Sequence, residues 1–435
     1  MSEYASHLTS LQKKATITAT EDILSDKGVL LAKSGIELNQ KICTTILRFK
    51  LLKPLEDSIA IKNQLNAKSI YSIITQFIVT DPWLNVINEK LGDKSILQRC
   101  CLRLEKFPIL QQKLTVMQLE LPDVFAQAVA SAYLAHICAI TNEIPQTEIE
   151  EHFLAGLVHD IGFLHINHNI LKKQGDLSAE EWRSIQSHPV IGYEIVNNIA
   201  NFPKVVTRAV LEHHENLDGS GYPRNKTAQD LGSLGQLINL LGNVIAIYTK
   251  KLKPQQRSLR GVIPVVQINM HSYSPNAVST IIRALKCVPE SEKKSPNIKI
   301  IKELIVQTQE KQEYIKITTN IIKNASQQLG YTHNNKEIFS LQNTIYNVIL
   351  IMNSSGLNDK NCINWLSELE SSDQQKHYNE VEDTQVMLSE IIYQIQTYQK
   401  NANLFISKNS THPLSKSMTQ CLEQVKEVTK PAQLG

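Results

Sequence analysis

The sequence lacks the cysteine patterns on which many small metal-binding and secreted proteins depend. Its 435 residues contain seven scattered cysteines, an odd number, and no two of them form a CxxC pair. A disulfide framework needs paired cysteines, and a structural zinc site usually needs closely spaced ones. The composition therefore argues against both kinds of scaffold.

A leader sequence and a long hydrophobic run are also missing. The first residues, Met1 to Tyr4, include no basic stretch followed by an apolar segment, which a signal peptide requires. The longest apolar stretch, near Leu237–Tyr248, is interrupted by Asn239 and Asn243. It is shorter than the ~20 residues that span a bilayer. We therefore expect a cytoplasmic protein with no membrane partner.

Net charge is small as well, at +3 for 49.1 kDa. Proteins that bind DNA or RNA usually present a clustered basic stripe, so no such partner is expected. The 42% hydrophobic and 20% charged residues are those of a globular protein. The chain length favours two or three domains.

The first sixty residues differ in pattern from the rest. Two β-prone runs, Ala15–Ile23 and Val29–Lys33, are separated by the turn sequence Ser25–Gly28. A helical pattern follows at Asn39–Lys50. We predict a small α+β domain over residues 1–62.

Helical patterns dominate the remainder, with a break at Asp81-Pro82. A charged, proline-bounded stretch predicts a linker before the C-terminal region. The predicted segments are a helical connector at 63–118, a helical domain at 119–288, the linker at 289–297 and a C-terminal helical domain at 298–435.

Two apolar stripes in the C-terminal region repeat at spacings typical of amphipathic helices. They consist of Ile338, Leu341, Ile345, Val348 and Met352, and of Val381, Leu388, Ile391, Ile395 and Tyr398. Such stripes favour the buried faces of a helical bundle over a cofactor groove or a long coiled coil. For this domain the sequence predicts packing or homodimerisation and no further function.

Histidine is concentrated in one part of the chain, with seven of thirteen between residues 152 and 214. Carboxylates lie beside them, and a cluster of both types favours a metal site. The pieces are an apolar helix ending in His159-Asp160, a helix that begins with the capping box Ser178 to Glu181 and runs to His188-Pro189, a helix ending in His213-His214, and a glycine-rich loop at 218–223. Each piece is weak alone, but together and in this order they form a specific signal.

These pieces resemble the HD-GYP family, a branch of the HD metal-dependent phosphohydrolases. The matching runs are HDIGF, SHPVIGYEIV and LEHHENLDGSGYP, and the resemblance covers residues 119–288. It implies a mainly α fold, an HD-type helical bundle between the small α+β domain and the C-terminal bundle. It also implies divalent metal, iron or manganese, and hydrolysis of cyclic di-GMP by metal-activated water.

The resemblance assigns roles position by position. It implies a catalytic role for His159 and Asp160, and places Asp160 as a carboxylate bridging two metals. The implied metal ligands are His159, Asp160, His188, His213 and His214, with Asp123 as an additional carboxylate. The implied substrate-binding residues are Gly219, Gly221, Tyr222 and Pro223.

Three family positions are changed. Gln127 is the nearest equivalent of an upstream histidine ligand, and Phe163 replaces a lysine expected to contact phosphate. Asn243 stands where a last aspartate ligand is expected, and no Asp or Glu occurs between Asp230 and Glu290. We therefore expect one well-bound metal ion per chain, with the second bound poorly or not at all.

Other histidines are interpreted as structural. His165 and His168 are expected to be exposed loop residues, with replacement ligands or nucleotide contacts as the alternative. His136 and His152 lie on predicted helices without a motif partner.

Two functions remain open from the sequence. One is a weak or specialised phosphodiesterase acting on cyclic di-GMP or a related nucleotide, with enzymatic activity the favoured interpretation. The other is a catalytically degenerate sensor that binds cyclic di-GMP or a signalling protein such as a diguanylate cyclase.

Overall fold

The computed structural model describes residues 3–12, 14–290, 298–327, 335–357, 359–371 and 377–428. The chain divides into two compact units. The first comprises Met1–Gly175 and Ser184–His213, and the second comprises Asp176–Arg183 and His214–Gly435. The predicted domain boundaries at residues 62, 118 and 288 stay predictions. The predicted linker lies, from residue 291 onward, outside the described residues.

The first unit is mainly helical, with four short strands near its N-terminus, which confirms the predicted fold class. Its strands are β1 (Ile17–Ala19), β2 (Ile23–Leu24), β3 (Leu30–Ala32) and β4 (Ile59–Ile61). Its helices are α1 (Glu3–Leu11), α2 (Gln40–Ile46), α3 (Ala67–Thr80), α4 (Pro82–Leu91), α5 (Lys94–Leu102), α6 (Pro108–Glu120), α7 (Pro122–Thr141), α8 (Gln146–Val158), α9 (His168–Leu171), α11 (His188–Asn197) and α12 (Lys204–Glu212). Helix α10 (Ala179–Gln186) lies between α9 and α11 in the sequence.

The strands form two antiparallel pairs, β1 with β4 and β2 with β3. The turn predicted at Ser25–Gly28 is present, because the Gly28 amide donates to the Ser25 carbonyl at 2.9 Å. Gly28 has φ +78°, a conformation that glycine adopts at little cost.

The predicted break at Asp81-Pro82 is confirmed, and its cause is local. Pro82 occupies the first turn of α4, where its missing N–H costs no hydrogen bond. The Asp81 carboxylate accepts hydrogen bonds from the amides of Trp83 (3.2 Å) and Leu84 (3.3 Å). The proline and the cap together end α3 and begin α4.

Helices α7 and α8 pack closely in the core of the first unit. A Cβ atom added at Gly156 of α8 would lie 2.6 Å from backbone atoms of Ser131 and Ala132 on α7, so only glycine permits this approach. The expectation that the longest apolar stretch lies near Leu237–Tyr248 is wrong, because among the described residues α7 alone is long and apolar enough to cross a membrane, although most of it is buried. That burial is typical of a core helix in a soluble protein.

The second unit is helical beyond its first loop. Its helices are α13 (Ser233–Ile247), α14 (Ile263–Ile268), α15 (Pro275–Leu285), α16 (Ile298–Gln327), α17 (Lys336–Ser354), α18 (Lys360–Ser371), α19 (Tyr378–Lys408) and α20 (Pro413–Glu427). Both predicted stripes are buried, one on α17 and the other on α19. They face cores that α16 and α20 also line, which confirms the bundle.

The capping box predicted before α10 is present, but the helix is shorter than expected. The Ser178 amide donates to the Glu181 carboxylate at 2.7 Å, and the Glu181 amide donates to the Ser178 hydroxyl at 3.2 Å. The helix ends at Gln186, and His188 begins a new helix with Pro189 in its first turn. Pro189 has no N–H to donate to the Ile185 carbonyl four residues earlier, and His188 Nδ1 lies 2.7 Å from that carbonyl instead, so α10 does not continue through Pro189.

Candidate metal centre

The centre begins where α8 ends. His159 is the C-cap of α8, and Asp160 precedes a 3-10 helix at Ile161–His165. Both side chains are buried, with exposed fractions of 4% and 6%. Buried polar groups of this kind require partners, and the neighbouring helices supply them.

Glycine allows the second histidine helix to approach. A Cβ atom at Gly162 would lie 2.0 Å from the His188 carbonyl oxygen, and one at Gly192 would lie 2.9 Å from Val210. No side chain fits at the first of these contacts. The backbone that follows Asp160 therefore packs directly on α11, which brings His188 beside the carboxylate.

Three imidazoles are oriented by the same kind of hydrogen bond to the backbone. The Nδ1 atoms of His159, His188 and His213 lie 2.8, 2.7 and 2.7 Å from the carbonyl oxygens three residues earlier in the chain. A carbonyl only accepts, so each Nδ1 carries the proton and donates. In a neutral ring the Nε2 atom then offers its lone pair, the arrangement typical of metal-ligating histidines.

The three Nε2 atoms converge on Asp160, but on different oxygens. Those of His188 and His213 lie 3.2 and 3.4 Å from Oδ1, whereas that of His159 lies 3.1 Å from Oδ2. The carboxylate therefore has one side with two imidazoles and another with one. The expectation of one complete and one depleted metal position stays a prediction.

The donor atoms need a cation among them. The Nε2 atoms of His188 and His213 are 3.1 Å apart, and two facing lone pairs repel unless a proton or an ion lies between them. Ligands ~2.1 Å from one ion, and at right angles to each other, lie ~3.0 Å apart. The spacing therefore fits a shared divalent ion.

The electrostatics of the buried groups also favour a cation. Burial opposes the charged forms, but the Asp160 carboxylate outweighs it and raises the pKa of His159. The surrounding imidazoles likewise outweigh burial and hold the pKa of Asp160 well below its usual range. Burial lowers the pKa of His213 to about 4. An ionised carboxylate and a neutral imidazole are the forms that bind metal.

His214 follows His213 in the chain but belongs to the second unit. Within the first unit, Asp160, His188 and His213 each offer a ligand atom, and these atoms lie within 4.8 Å of one another. Asp123 is exposed in the first turn of α7 and is not part of this group. Donors of nitrogen and oxygen type suit iron, manganese or zinc.

The glycine-rich loop belongs to the second unit and packs tightly there. A Cβ atom at Gly221 would lie 2.3 Å from the His214 carbonyl oxygen, and Gly219 has φ +78°. The Tyr222 ring stacks on the His214 ring at 4.7 Å, and Pro223 follows it. The loop thus places its aromatic ring directly against a candidate ligand.

Sequence reasoning missed the groups that hold this loop. The buried Glu215 carboxylate accepts from the amides of Arg224 (2.6 Å) and Lys226 (3.0 Å). On α17, Ser340 donates to the Ser220 carbonyl at 3.1 Å, and the Asn343 amide donates to the Asp218 carbonyl at 2.5 Å. Of these groups, only Glu215 could have been suspected from the sequence, because it directly follows the histidine pair.

The changed family positions have new surroundings. Phe163 stacks on His188 with ring centroids 4.0 Å apart, where the family expectation is a cationic lysine. The Asn243 amide donates to the Tyr273 hydroxyl at 2.8 Å and to Asn239 Oδ1 at 3.1 Å. Asn243 is thus engaged in a polar network of the second unit.

The expectation that His165 and His168 are exposed loop residues is wrong. Both are partly buried, because α1 packs over them. His165 stacks on Tyr4 at 5.5 Å, and His168 meets the edge of His7 at 5.6 Å. Neither is among the described residues that form the metal-ligand group. His136, as expected, is a buried core residue beside Cys100.

Gly162→Ala is expected to destabilise the protein by about 1–3 kcal/mol or more, because its methyl group would overlap the His188 backbone. Metal affinity should fall with it. The matched control is Gly242→Ala on α13, where an added Cβ meets nothing within 4 Å. That change should stabilise by about 0.5–1 kcal/mol. Thermal unfolding and metal content would test the pair, and equal effects would contradict the packing argument.

Comparisons with known proteins agree with this geometry. The family described as "HD domain" matches residues 112–261. The chain is similar to 3'3'-cGAMP-specific phosphodiesterase 3 of Vibrio cholerae, with 28% identity covering 33% of this chain and 31% of the relative. It is similar to the cyclic di-GMP phosphodiesterase PdeB of Borreliella burgdorferi, with 30% identity covering 31% and 35%.

A cyclic di-GMP phosphodiesterase of Thermotoga maritima is 30% identical, covering 33% of this chain and 39% of the relative. The similarity thus spans well under half of each relative. The residues that the HD domain family matches, 112–261, include the HD doublet and the histidine helices described above. Residues 112–261, about a third of the chain, therefore form an HD domain of the kind found in the HD-GYP cyclic di-GMP and cGAMP phosphodiesterases.

Proposed function

We propose that the protein is a metal-dependent phosphodiesterase acting slowly on cyclic di-GMP or a related cyclic dinucleotide in the cytoplasm. The observation that supports it best is the convergence of three Nε2 atoms on Asp160, each fixed by an Nδ1 hydrogen bond to the backbone. Similar proteins are named for hydrolysis of cyclic dinucleotides.

One ion, iron or manganese, would be held by Asp160 Oδ1, His188 and His213, with His214 as a further ligand. When bound, a divalent ion supplies positive charge that lowers the pKa of water and neutralises charge on phosphate oxygens. The backbone carbonyls behind the imidazoles keep each ring in one tautomer and orientation. Asp160 Oδ2 and His159 remain on the other side of the carboxylate and can hold or move a proton there.

Slow turnover is proposed because the second side of the centre is poor in donors. His159 Nε2 lies 3.1 Å from Oδ2, whereas the histidine and the aspartate that the family would add are replaced by Gln127 and Asn243. Phe163 stands where the family has a lysine, so no ammonium group stabilises the negative charge that develops on the phosphate. Loss of one such donor can lower the rate by about 10²–10³.

A sensor function is the second candidate, and the stacking of Phe163 on His188 favours it. An apolar ring on the ligand covers a position from which a catalytic group would act. In that case the HD module would bind a nucleotide or a signalling protein without hydrolysing it. Homodimerisation through the C-terminal helices stays a prediction.

A turnover assay decides between the candidates. The full chain would be purified without oxygen, loaded with iron or manganese, and its metal content measured. Cyclic di-GMP and pGpG would then be followed by chromatography. Slow, chelator-sensitive appearance of linear or mononucleotide product is expected. A protein that holds metal but yields no product would end the enzyme proposal and leave the sensor.

A further inference from the structure

A polar cavity lies within the second unit; its wall includes His214 and the loop residues Gly221 and Tyr222, but most of its lining comes from residues outside the family motifs. Its volume is about 150 Å³, enough for ~10 water molecules, or for one heterocyclic ring system. We call it the amide cavity, because Asn216, Asn239, Asn243, Asn269, Asn347, Asn401 and Gln394 line it.

Aromatic rings form part of its wall. Trp182 and Tyr222 meet edge to face at 6.5 Å, and both line the cavity together with Tyr273 and Tyr393. Tyr393 lines the cavity and about half of the residue is accessible to solvent, at 52% exposure. Rings in such positions provide flat surfaces on which a base can stack.

The amides are fixed by one another and by the wall. Gln394 Nε2 donates to Asn269 Oδ1 at 2.6 Å, and Trp182 Nε1 donates to Asn401 Oδ1 at 2.8 Å. These bonds join α19 to Asn269, the residue that follows α14, and to Trp182 on α10. Groups held in this way present hydrogen-bonding atoms in fixed directions, which reduces the ordering cost of binding.

Glu390 is the one carboxylate that lines the cavity. It lies half-buried on α19, and burial raises its pKa to about 6 despite the Gln394 hydrogen bond and the charge of Lys251. It is therefore ionised at pH 7.5 and can only accept hydrogen bonds. No lysine or arginine is among the described residues that line the cavity.

These features select a ligand class. Beside Glu390 a phosphate would meet a carboxylate with no lysine or arginine to offset its charge, so this part of the cavity does not favour one. A planar, neutral ring that donates hydrogen bonds does fit. Guanine carries adjacent N1–H and N2–H donors on one edge, and a carboxylate can accept both. Adenine places an acceptor at N1, which a carboxylate repels.

We propose that the amide cavity binds a guanine base, with Glu390 accepting from its N1–H and N2–H groups and the aromatic wall packing on its face. The choice of nucleotide rests on the proposed function, but base recognition does not require turnover. The C-terminal helices, through α19, then determine which cyclic dinucleotide the protein accepts.

The test is calorimetric titration of the full chain in EDTA at pH 7.5, where hydrolysis is stopped, with cyclic di-GMP and with cyclic di-AMP. Cyclic di-GMP should bind at least about tenfold more tightly, since a site built for a donor discriminates strongly against its absence. Glu390→Gln should lower the cyclic di-GMP affinity at least about tenfold and leave that for cyclic di-AMP unchanged. The matched control, Glu423→Gln on the exposed surface of α20, should change neither.

Tyr393→Ala provides a second variant in case Glu390→Gln fails to fold. Its exposed ring can be removed with little effect on the core, and both nucleotides should then bind more weakly. Equal affinity for the two nucleotides, no binding of either at millimolar concentration, or an unchanged Glu390→Gln variant would overturn the proposal. Turnover without guanine preference would reject only this inference, whereas guanine binding without turnover would reject only the phosphodiesterase.

Discussion

Asp160→Asn should reduce bound metal from about one ion per chain to nearly none. Asp160 is the group on which His159, His188 and His213 all converge, and the amide keeps its shape while removing its charge. Loss of a group that only hydrogen-bonds to a metal ligand lowers metal affinity about 10–100-fold. Loss of the central anionic ligand itself should therefore lower the affinity more than this. Elemental analysis of protein purified without oxygen measures the effect.

The matched control is Asp123→Asn, which removes the same charge from an exposed position at the start of α7. Its metal content should equal that of the unmodified protein. If Asp123→Asn also loses metal, Asp123 is a ligand, although it is not a member of the donor group in the structure. If Asp160→Asn keeps its metal, the proposed centre is wrong.

Phe163→Lys should raise the rate of cyclic di-GMP hydrolysis by about 10²–10³ if the protein is an enzyme. The ammonium group would stand beside His188, where Phe163 now stacks, and would stabilise charge that develops on the phosphate oxygens. Initial rates at saturating metal, with metal content measured on the same sample, test this expectation.

The control for this change is Phe163→Leu, which removes the stacked ring without adding charge. A rate increase in both variants would mean that the aromatic ring had blocked the site, not that a cation was missing. No increase in either, with metal still bound, would favour the sensor. Both variants lose the ring contact with His188, so thermal unfolding of the two should be compared directly.

Much of the local structure could be predicted from the sequence. The break between α3 and α4 follows from Asp81 and Pro82, and the buried faces of α17 and α19 follow from their apolar spacing. The end of α10 at Gln186 did not follow from its capping box, because a cap indicates only where a helix begins. His165 and His168 looked like loop residues, since nothing local indicates that α1 packs over them.

The sequence by itself determined which donors the metal centre has. It also determined which are lost, since the identity of a side chain at Phe163 or Asn243 is read directly. Helix caps, turns and apolar stripes could also be predicted from the sequence, because each depends on residues a few positions apart. The HD doublet and the histidine pair identified the family for the same reason.

Only the tertiary structure decided how those donors are arranged. One oxygen of Asp160 faces two imidazoles and the other faces His159. This arrangement depends on helices that close contacts at Gly162 and Gly192 bring together. The amide cavity joins Trp182 to Glu390, residues far apart in the chain that no local pattern relates. Spacing along the chain constrains neighbours within a few turns of helix, whereas convergence of distant side chains is set by packing, and packing depends on the whole fold.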